Sequence, residues 1–240
     1  MLAEIHGKIS RQGRNLSDRL EDNLTGNVFG ALRYLPFSKG LGHILKQTLQ
    51  SNTAFLENLD DDWASYIQFW PYHAEGEIDI LIHFPTCIIG IEVKLFSSLS
   101  SEDQSTDAEI SRNQLSREAR ILHSLAPEKE KFLIFLAPDS LCKNVDAPIL
   151  STVVFEKISW EVFLQTIQAI HTEDPYTKTL LTDITQLLKR KGFERFQTMQ
   201  LDSPIIQAED YFTFQNPSVH FHIQTTPIEK ENFYDFNKYL

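Results

Sequence analysis

The sequence is poor in several features that mark particular classes of protein. Its 240 residues contain two cysteines, Cys87 and Cys142, too few for a disulfide framework or for a zinc site made of cysteines. No apolar stretch is long enough to cross a bilayer, and residues 1–24 lack the apolar segment of a secretory signal. We therefore expect a cytoplasmic protein with no membrane partner.

Two common catalytic motifs are also missing. The chain has no Gly-x-Ser-x-Gly turn for a serine nucleophile and no Gly-x-x-x-x-Gly-Lys loop for nucleotide phosphates. His220 and His222 have the spacing of one strand face, but no third ligand accompanies them, so they do not predict a zinc site. Serine hydrolases and P-loop enzymes are thereby excluded.

Positive charge is scarce. The chain has 22 basic and 33 acidic residues and a formal net charge of −11, which argues against a nucleic-acid partner because phosphate binding needs lysine and arginine. Residues 51–110, however, carry twelve acidic side chains and one basic side chain, and so hold the whole excess. If some of these acids converge in the fold, they form a cation site.

Hydrophobic periodicity predicts an α/β fold. Apolar residues four apart from Leu16 to Leu32 predict a first helix that ends before Pro36. The elements predicted after it are strands within residues 66–95, a helix over 108–125, strands over 131–137 and 152–155, and helices over 159–171 and 175–191. The order αβββαβ is thus followed by a strand and two helices. We expect one domain over residues 1–192 and an aromatic-rich C-terminal extension over 193–240, packed on it or part of it.

The segments 77–84 and 87–94 predict a hairpin whose register can be read from the sequence. A tight connection centred between Pro85 and Thr86 places residues whose numbers sum to 171 opposite each other. One face is then apolar throughout, with Ile78, Ile80, Ile82, Phe84, Cys87, Ile89, Ile91 and Val93. The other face ends in two charged pairs, Asp79 opposite Glu92 and Glu77 opposite Lys94.

The pair Asp79 and Glu92 predicts a metal site. Opposed side chains of an antiparallel pair have Cβ atoms about 5 Å apart, where two carboxylates repel unless a cation lies between them. Mg²⁺ (or Mn²⁺) prefers such oxygen ligands, and the carbonyl of Val93 lies nearby as another. Lys94 projects from the same face, where its ammonium can orient an attacking water or stabilise the developing charge of phosphodiester hydrolysis.

These residues carry a family resemblance. Asp79, twelve intervening residues and then Glu92-Val93-Lys94 on consecutive strands resemble the motif of the PD-(D/E)xK nuclease superfamily. The resemblance covers residues 16–137, with Ile78 where the motif has proline. It implies a restriction-endonuclease-like αβββαβ core, in which helices flank a central mixed β-sheet, here followed by C-terminal helices and the extension.

The same resemblance implies two supporting residues. A glutamate on the first helix often completes the metal site, and Glu21 matches it; a glutamine on the helix after the lysine strand recurs in several branches, and Gln114 matches it. Two alternatives stay open. Asp18-x-x-Glu21 also has the pattern of a capping box at a helix start, and Gln114 can be a solvated helix position.

The function implied is that of a Mg²⁺- or Mn²⁺-dependent nuclease that hydrolyses phosphodiester bonds. We expect DNA as its substrate in preference to RNA, and the sequence leaves open whether the protein forms a homodimer. Arg112, Arg117 and Arg120 are the candidate nucleic-acid contacts, although they can instead pair with Glu109 or Glu118. A second hypothesis keeps the fold but makes the chain a catalytically silent module that binds nucleic acid or a protein. A third, a metal hydrolase on another fold, requires Asp79 and Glu92 to lie apart.

Overall fold

The computed structural model of the chain describes residues 16–51, 53–97, 99 and 105–194. All of them belong to the first of two compact units, Met1–Phe196. The predicted extension over 193–240 lies outside the described residues except for its first two, and so do His220 and His222. Phe193 is buried, with its ring stacked on the indole of Trp160 at a centroid distance of 5.5 Å. No helix in the described part of the chain has the length and apolarity needed to span a membrane.

A mixed five-stranded sheet forms the centre of the fold. Its strands, in spatial order, are β1 (Ile67–Phe69), β4 (Ile80–His83), β5 (Cys87–Val93), β6 (Glu130–Ala137) and β7 (Val154–Ser159). β1, β4 and β5 pair antiparallel, whereas β5, β6 and β7 pair parallel. A separate two-stranded sheet joins β2 (Tyr72–His73) to β3 (Gly76–Glu77).

Helices cover both faces of the large sheet, which confirms the predicted α/β class. The helices are α1 (Leu16–Leu32), α2 (Leu41–Thr48), α3 (Gln114–Leu125), α4 (Asp139–Asn144), α5 (Trp160–Gln168) and α6 (Pro175–Arg190). Side chains of α1, α2, α5 and α6 share one apolar core with Ile80, Ile82 and the odd-numbered residues of β5. Side chains of α3 share a second core with Leu81, Ile88 and Leu133 on the opposite face. Both faces of the central strands are therefore buried, as their continuous apolar runs indicate.

The predicted hairpin register is confirmed along β4 and β5. The pairs are Ile80 with Ile91, Leu81 with Gly90, Ile82 with Ile89, and His83 with Ile88. Their numbers all sum to 171, because a tight connection at Pro85 and Thr86 leaves the chain one way to put its apolar residues inward.

The predicted strand over 77–84 is wrong at its beginning. The chain reverses at Ala74 and Glu75, so that Glu77 pairs with Tyr72 in the small sheet instead of lying opposite Lys94. Gly76 supports this reversal with a φ of 149°, which side chains rarely adopt. The strand resumes at Ile80 after a bend, and Ile78 consequently packs in the α3 core and not on the face predicted for it.

Helix α3 approaches the sheet closely over Gly90. A Cβ at that position would lie 3.1 Å from Cδ2 of Leu122, closer than an ordinary contact. The helix begins at Gln114, later than predicted, because Asn113 caps it by accepting the N–H of Leu115 at 2.9 Å. Since α3 runs antiparallel to β5, its first turns lie against Glu92, two residues beyond Gly90.

Candidate active site at the end of strand β5

The residues predicted from the sequence come together where β5 ends. Glu21 comes from α1, Asp79 from the bend before β4, Glu92 from β5, Lys94 from the residue after that strand, and Gln114 from the first position of α3. Four separate segments of the chain thus supply one cluster. Asp79 accepts the backbone N–H of Val93, the residue next to Glu92. This contact contradicts the third hypothesis, which required the two carboxylates to lie apart.

Lys94 is the centre of the cluster. Its Nζ lies 2.6 Å from Oε1 of Glu92 and 3.2 Å from Oε1 of Glu21, and its side chain is only 10% exposed. Burial alone lowers the pKa of Lys94, but the negative charges of Glu92, Glu21 and Asp79 outweigh burial and raise it. Lys94 is therefore an ammonium ion at neutral pH.

The main chain of Lys94 is also fixed. Its N–H donates to the carbonyl of Leu136 at 2.8 Å and so extends the parallel ladder past Val93. Its carbonyl accepts the indole N–H of Trp160 at 2.9 Å, a buried hydrogen bond. The lysine backbone is thus held on one side by the sheet and on the other by α5.

Glu21 holds the loop that follows β5. Its Oε2 accepts the N–H of Leu95 at 2.7 Å and the hydroxyl of Ser97 at 2.9 Å, while Oε1 accepts from Lys94. The capping alternative for Glu21 is wrong, because α1 begins at Leu16 and places Glu21 inside the helix.

Gln114 orients Glu92. Its Nε2 donates to Oε1 of Glu92 at 2.6 Å, the oxygen that also accepts from Lys94. Glu92 is 2% exposed, and burial raises its pKa, with repulsion from Glu118 adding to the effect and Lys94 opposing it. Gln114 is therefore a member of the site and not a solvated helix position.

Asp79 lies at the accessible edge of the cluster. It is half-buried, and its Oδ2 accepts the N–H of Val93 at 2.9 Å. No described residue donates to Oδ1. Burial and the nearby charge of Glu92 raise the pKa of Asp79 well above its ordinary value. Val93 contacts Asp79 through its N–H, so metal binding by its carbonyl stays a prediction.

A residue with a strained backbone, just after β1, supports Asp79. Trp70 is buried and adopts a φ of 51°, in the left-handed region that side chains rarely occupy. Its N–H donates to the carbonyl of Asp79 at 2.9 Å. This bond fixes the bend from which the Asp79 carboxylate projects.

Arg117 and Arg120, which were predicted to contact nucleic acid, bond other parts of the protein. Arg117 donates through Nη1 to the carbonyl of Glu75 and through Nε to that of Arg112 at 3.2 Å. Arg120 pairs with the carboxylate of Glu75 at 2.6 Å and donates to the carbonyl of Ala108 at 2.7 Å. These bonds fasten the β2–β3 hairpin to α3. Arg112 is exposed, and phosphate contact by all three stays a prediction.

Glu118 is the site residue that the sequence reasoning missed. It is 2% exposed, and neither carboxylate oxygen has a hydrogen-bond partner in the part of the chain that the structure describes. Burial raises its pKa to about 8. Its place one helical turn after Gln114, among Leu115, Ala119 and Leu122, was a signal that it faces the sheet. The alternative in which Arg117 or Arg120 pairs with Glu118 is wrong, because both arginines contact the hairpin instead.

The raised pKa of Glu118 makes the stability of the metal-free protein depend on pH. Between the ordinary value of 4.5 and about 8, the folded state binds a proton that the unfolded state has released, so rising pH disfavours folding. We expect Glu118→Gln to be more stable than wild type at pH 8, and this advantage to shrink towards pH 5. The shift sets an upper limit of about 5 kcal/mol on the difference.

Urea unfolding in EDTA at pH 5, 6.5 and 8 measures this difference, with the exposed Glu128→Gln as the control for loss of one negative charge. Parallel stability curves for wild type and Glu118→Gln across this range would contradict the prediction.

Cysteine chemistry plays no part in this cluster. Cys87 and Cys142 are both free and buried. Burial raises the pKa of Cys87 to about 12 and that of Cys142 to about 11, so neither is a thiolate at neutral pH.

Among the residues that the structure describes, no three or more His, Cys, Asp or Glu side chains are grouped so as to hold a metal ion. The carboxylates are arranged around the ammonium of Lys94 instead. Comparisons with protein-family models, with curated proteins and with solved structures gave no match.

Proposed function

We propose that the protein is a divalent-metal-dependent nuclease with a restriction-endonuclease-like core. The observation that carries the proposal is the convergence of Asp79, Glu92 and Lys94 at the end of β5, with Glu21 and Gln114 bonded to them. The order of helix, antiparallel strands, helix and parallel strand supports it, as does the hydrogen bond from the Val93 N–H that brings Asp79 beside Glu92.

The charges of the cluster fit a hard cation. Four carboxyl groups, those of Glu21, Asp79, Glu92 and Glu118, act on the ammonium of Lys94, so their ionisation would leave negative charge in excess for a cation to neutralise. Oδ1 of Asp79 and both oxygens of Glu118 have no hydrogen bond from any described residue. Mg²⁺ or Mn²⁺ prefers such oxygen ligands. Asp79 and Glu92 would hold the ion, with Glu21 and the carbonyl of Val93 as further candidate ligands.

A divalent ion bound there supplies charge neutralisation for phosphate oxygens and a lowered pKa for a bound water. The chain's own residues position the rest. Lys94 cannot act as a general base, because its neighbours keep it protonated. Its ammonium instead donates to a phosphate oxygen or to the attacking water and stabilises the negative charge that develops during the reaction. Gln114 and Glu21 hold Glu92 and Lys94 in place for that role.

An exposed aromatic ring beside the site favours a nucleic-acid substrate. Phe96 is 68% exposed and lies two residues after Lys94, on the loop that Glu21 fastens through Leu95 and Ser97. Bases of single strands stack on such rings irrespective of sequence. We take DNA as the first substrate class and RNA as the second.

The test is a metal titration followed by a substrate panel. Mn²⁺ is titrated calorimetrically into the EDTA-treated and dialysed full chain. The same protein is then incubated with closed-circular duplex, linear duplex and single-stranded DNA and with RNA of matching sequence, in Mg²⁺ and in EDTA. The Glu92→Gln variant is the matched control, since it keeps the shape of the side chain and removes its charge.

We expect saturable Mn²⁺ binding and cleavage of at least one substrate in Mg²⁺, both lost in EDTA and in Glu92→Gln. Binding of a nucleic acid that survives Glu92→Gln, with no cleavage by either protein, would favour the catalytically silent module. Wild-type protein that neither binds Mn²⁺ nor cleaves any substrate would overturn the proposed nuclease.

A further inference from the structure

Among the residues that the structure describes, Glu118 forms no ion pair that accounts for its burial. The ammonium of Lys94 acts on Glu118 through its charge but is paired with Glu92 and Glu21. Arg117 and Arg120, which lie on the same helix as Glu118, donate hydrogen bonds to Glu75 in the β2–β3 hairpin. Both Glu118 oxygens are buried and accept no hydrogen bond from a described residue, although the side chains of Glu92 and Gln114 lie close to them.

The carboxylate is directed into the site and not into the apolar core alone. Among its electrostatic neighbours are Glu92, Asp79, Gln114 and Lys94, all members of the cluster. Conversely, Glu118 is the strongest source of repulsion on Glu92. Two buried carboxylates in contact are unfavourable unless a proton or a cation lies between them.

A solely structural role does not explain this arrangement. The position lies among Leu115, Ala119 and Leu122 on a helix that packs closely over Gly90, where an apolar side chain would be more stable than a carboxyl group that accepts no hydrogen bond from the described residues. Strain of this kind is characteristic of functional sites, where it is offset when the ligand binds.

In the arrangement that the structure describes, Asp79, Glu92 and Glu118 are not grouped as a metal site, and Glu92 is held by Lys94. We propose that Glu118 is a third acidic ligand of the cation centre, which joins Asp79 and Glu92 by a change of side-chain position when the divalent ion binds. The inference rests on the proposed function and extends it. Three carboxylates give the site enough negative charge to retain a divalent ion beside the ammonium of Lys94. They also place one ligand on α3, so that ion binding joins this helix to β5.

The test compares three variants of the full chain. Glu118→Gln removes the charge but keeps one oxygen that can bind a metal, Glu118→Met fills the same space with no oxygen, and Glu128→Gln removes the charge of an exposed acid. Mn²⁺ affinity is measured by calorimetry, and melting temperatures are measured in EDTA and in Mn²⁺.

We expect Mn²⁺ affinity to fall about tenfold in Glu118→Gln and further in Glu118→Met, with no change in Glu128→Gln. Melting temperatures in EDTA should equal or exceed that of wild type, which shows that both variants fold. Affinities within twofold of wild type would overturn the proposal. Equal losses in the Gln and Met variants would also overturn it, because charge alone would then account for the effect.

The design separates this inference from the nuclease proposal. If wild type binds Mn²⁺ and Glu92→Gln does not, while both Glu118 variants bind normally, the metal site stands and Glu118 is not a ligand. If wild type itself binds no Mn²⁺, the proposed function fails and the inference fails with it.

Discussion

Substitution of Asp79 by Asn is expected to abolish Mn²⁺ binding and to lower phosphodiester hydrolysis by at least about a thousandfold. The amide has nearly the shape of the carboxylate and can still accept the N–H of Val93, a bond of 2.9 Å in the wild type. The change therefore removes the charge at the edge of the site while leaving β5 in place. Burial and Glu92 already disfavour the ionised form of Asp79, so we expect the melting temperature in EDTA to rise.

The comparison that decides this prediction is the shift of melting temperature on adding Mn²⁺. Wild type should be stabilised by the ion, whereas Asp79→Asn should not respond. The exposed Asp183→Asn on α6 loses the same charge and should behave as wild type. A variant at Asp79 that still cleaves, or that is still stabilised by Mn²⁺, would remove this residue from the site.

Substitution of Lys94 by Met is expected to have the opposite effect on metal binding. In EDTA the variant loses the ammonium that pairs with Glu21 and Glu92, and leaving such a buried charge unpaired costs about 3 to 5 kcal/mol of the free energy of unfolding. Mn²⁺ should bind more tightly than in wild type, because the ammonium no longer competes for the same oxygens. Hydrolysis should nevertheless fall by about a hundredfold to a thousandfold.

Unfolding curves in EDTA and in Mn²⁺, together with single-turnover cleavage rates, test the three effects on one sample. Lys46→Met is the matched control, since Lys46 pairs with Glu57 at the surface, where the two side chains are 49% and 60% exposed. Weaker Mn²⁺ binding by Lys94→Met would contradict competition between ammonium and metal. Undiminished cleavage would contradict a role for Lys94 in the reaction.

The part of this site that could be predicted is the part that one hairpin encodes. Alternating polarity and a tight connection at Pro85 and Thr86 allow a single register, and the observed pairs of β4 and β5 follow it. The sequence alone therefore sufficed to place Asp79 and Glu92 at one end of the sheet. Local periodicity suffices because both strands are adjacent in the chain.

The remaining features depend on contacts between distant segments. Glu77 has the right spacing to continue β4. The chain instead reverses at Ala74 and Glu75, and Glu77 pairs with Tyr72 in the small sheet. The pattern of α3 shows that Glu118 faces inward, yet its importance depends on where α3 crosses β5, which Gly90 and Leu122 determine in three dimensions. The arginines illustrate the same limit, because their partner Glu75 lies about forty residues earlier in the chain.

The two hydrogen bonds that hold the main chain of Lys94, from its N–H to Leu136 and from Trp160 to its carbonyl, also bear on protein engineering. Neither bond involves the lysine side chain, so residue 94 can be exchanged for other long side chains without loss of its backbone anchors. The effect of such an exchange can then be ascribed to the side chain, because the main chain keeps its place.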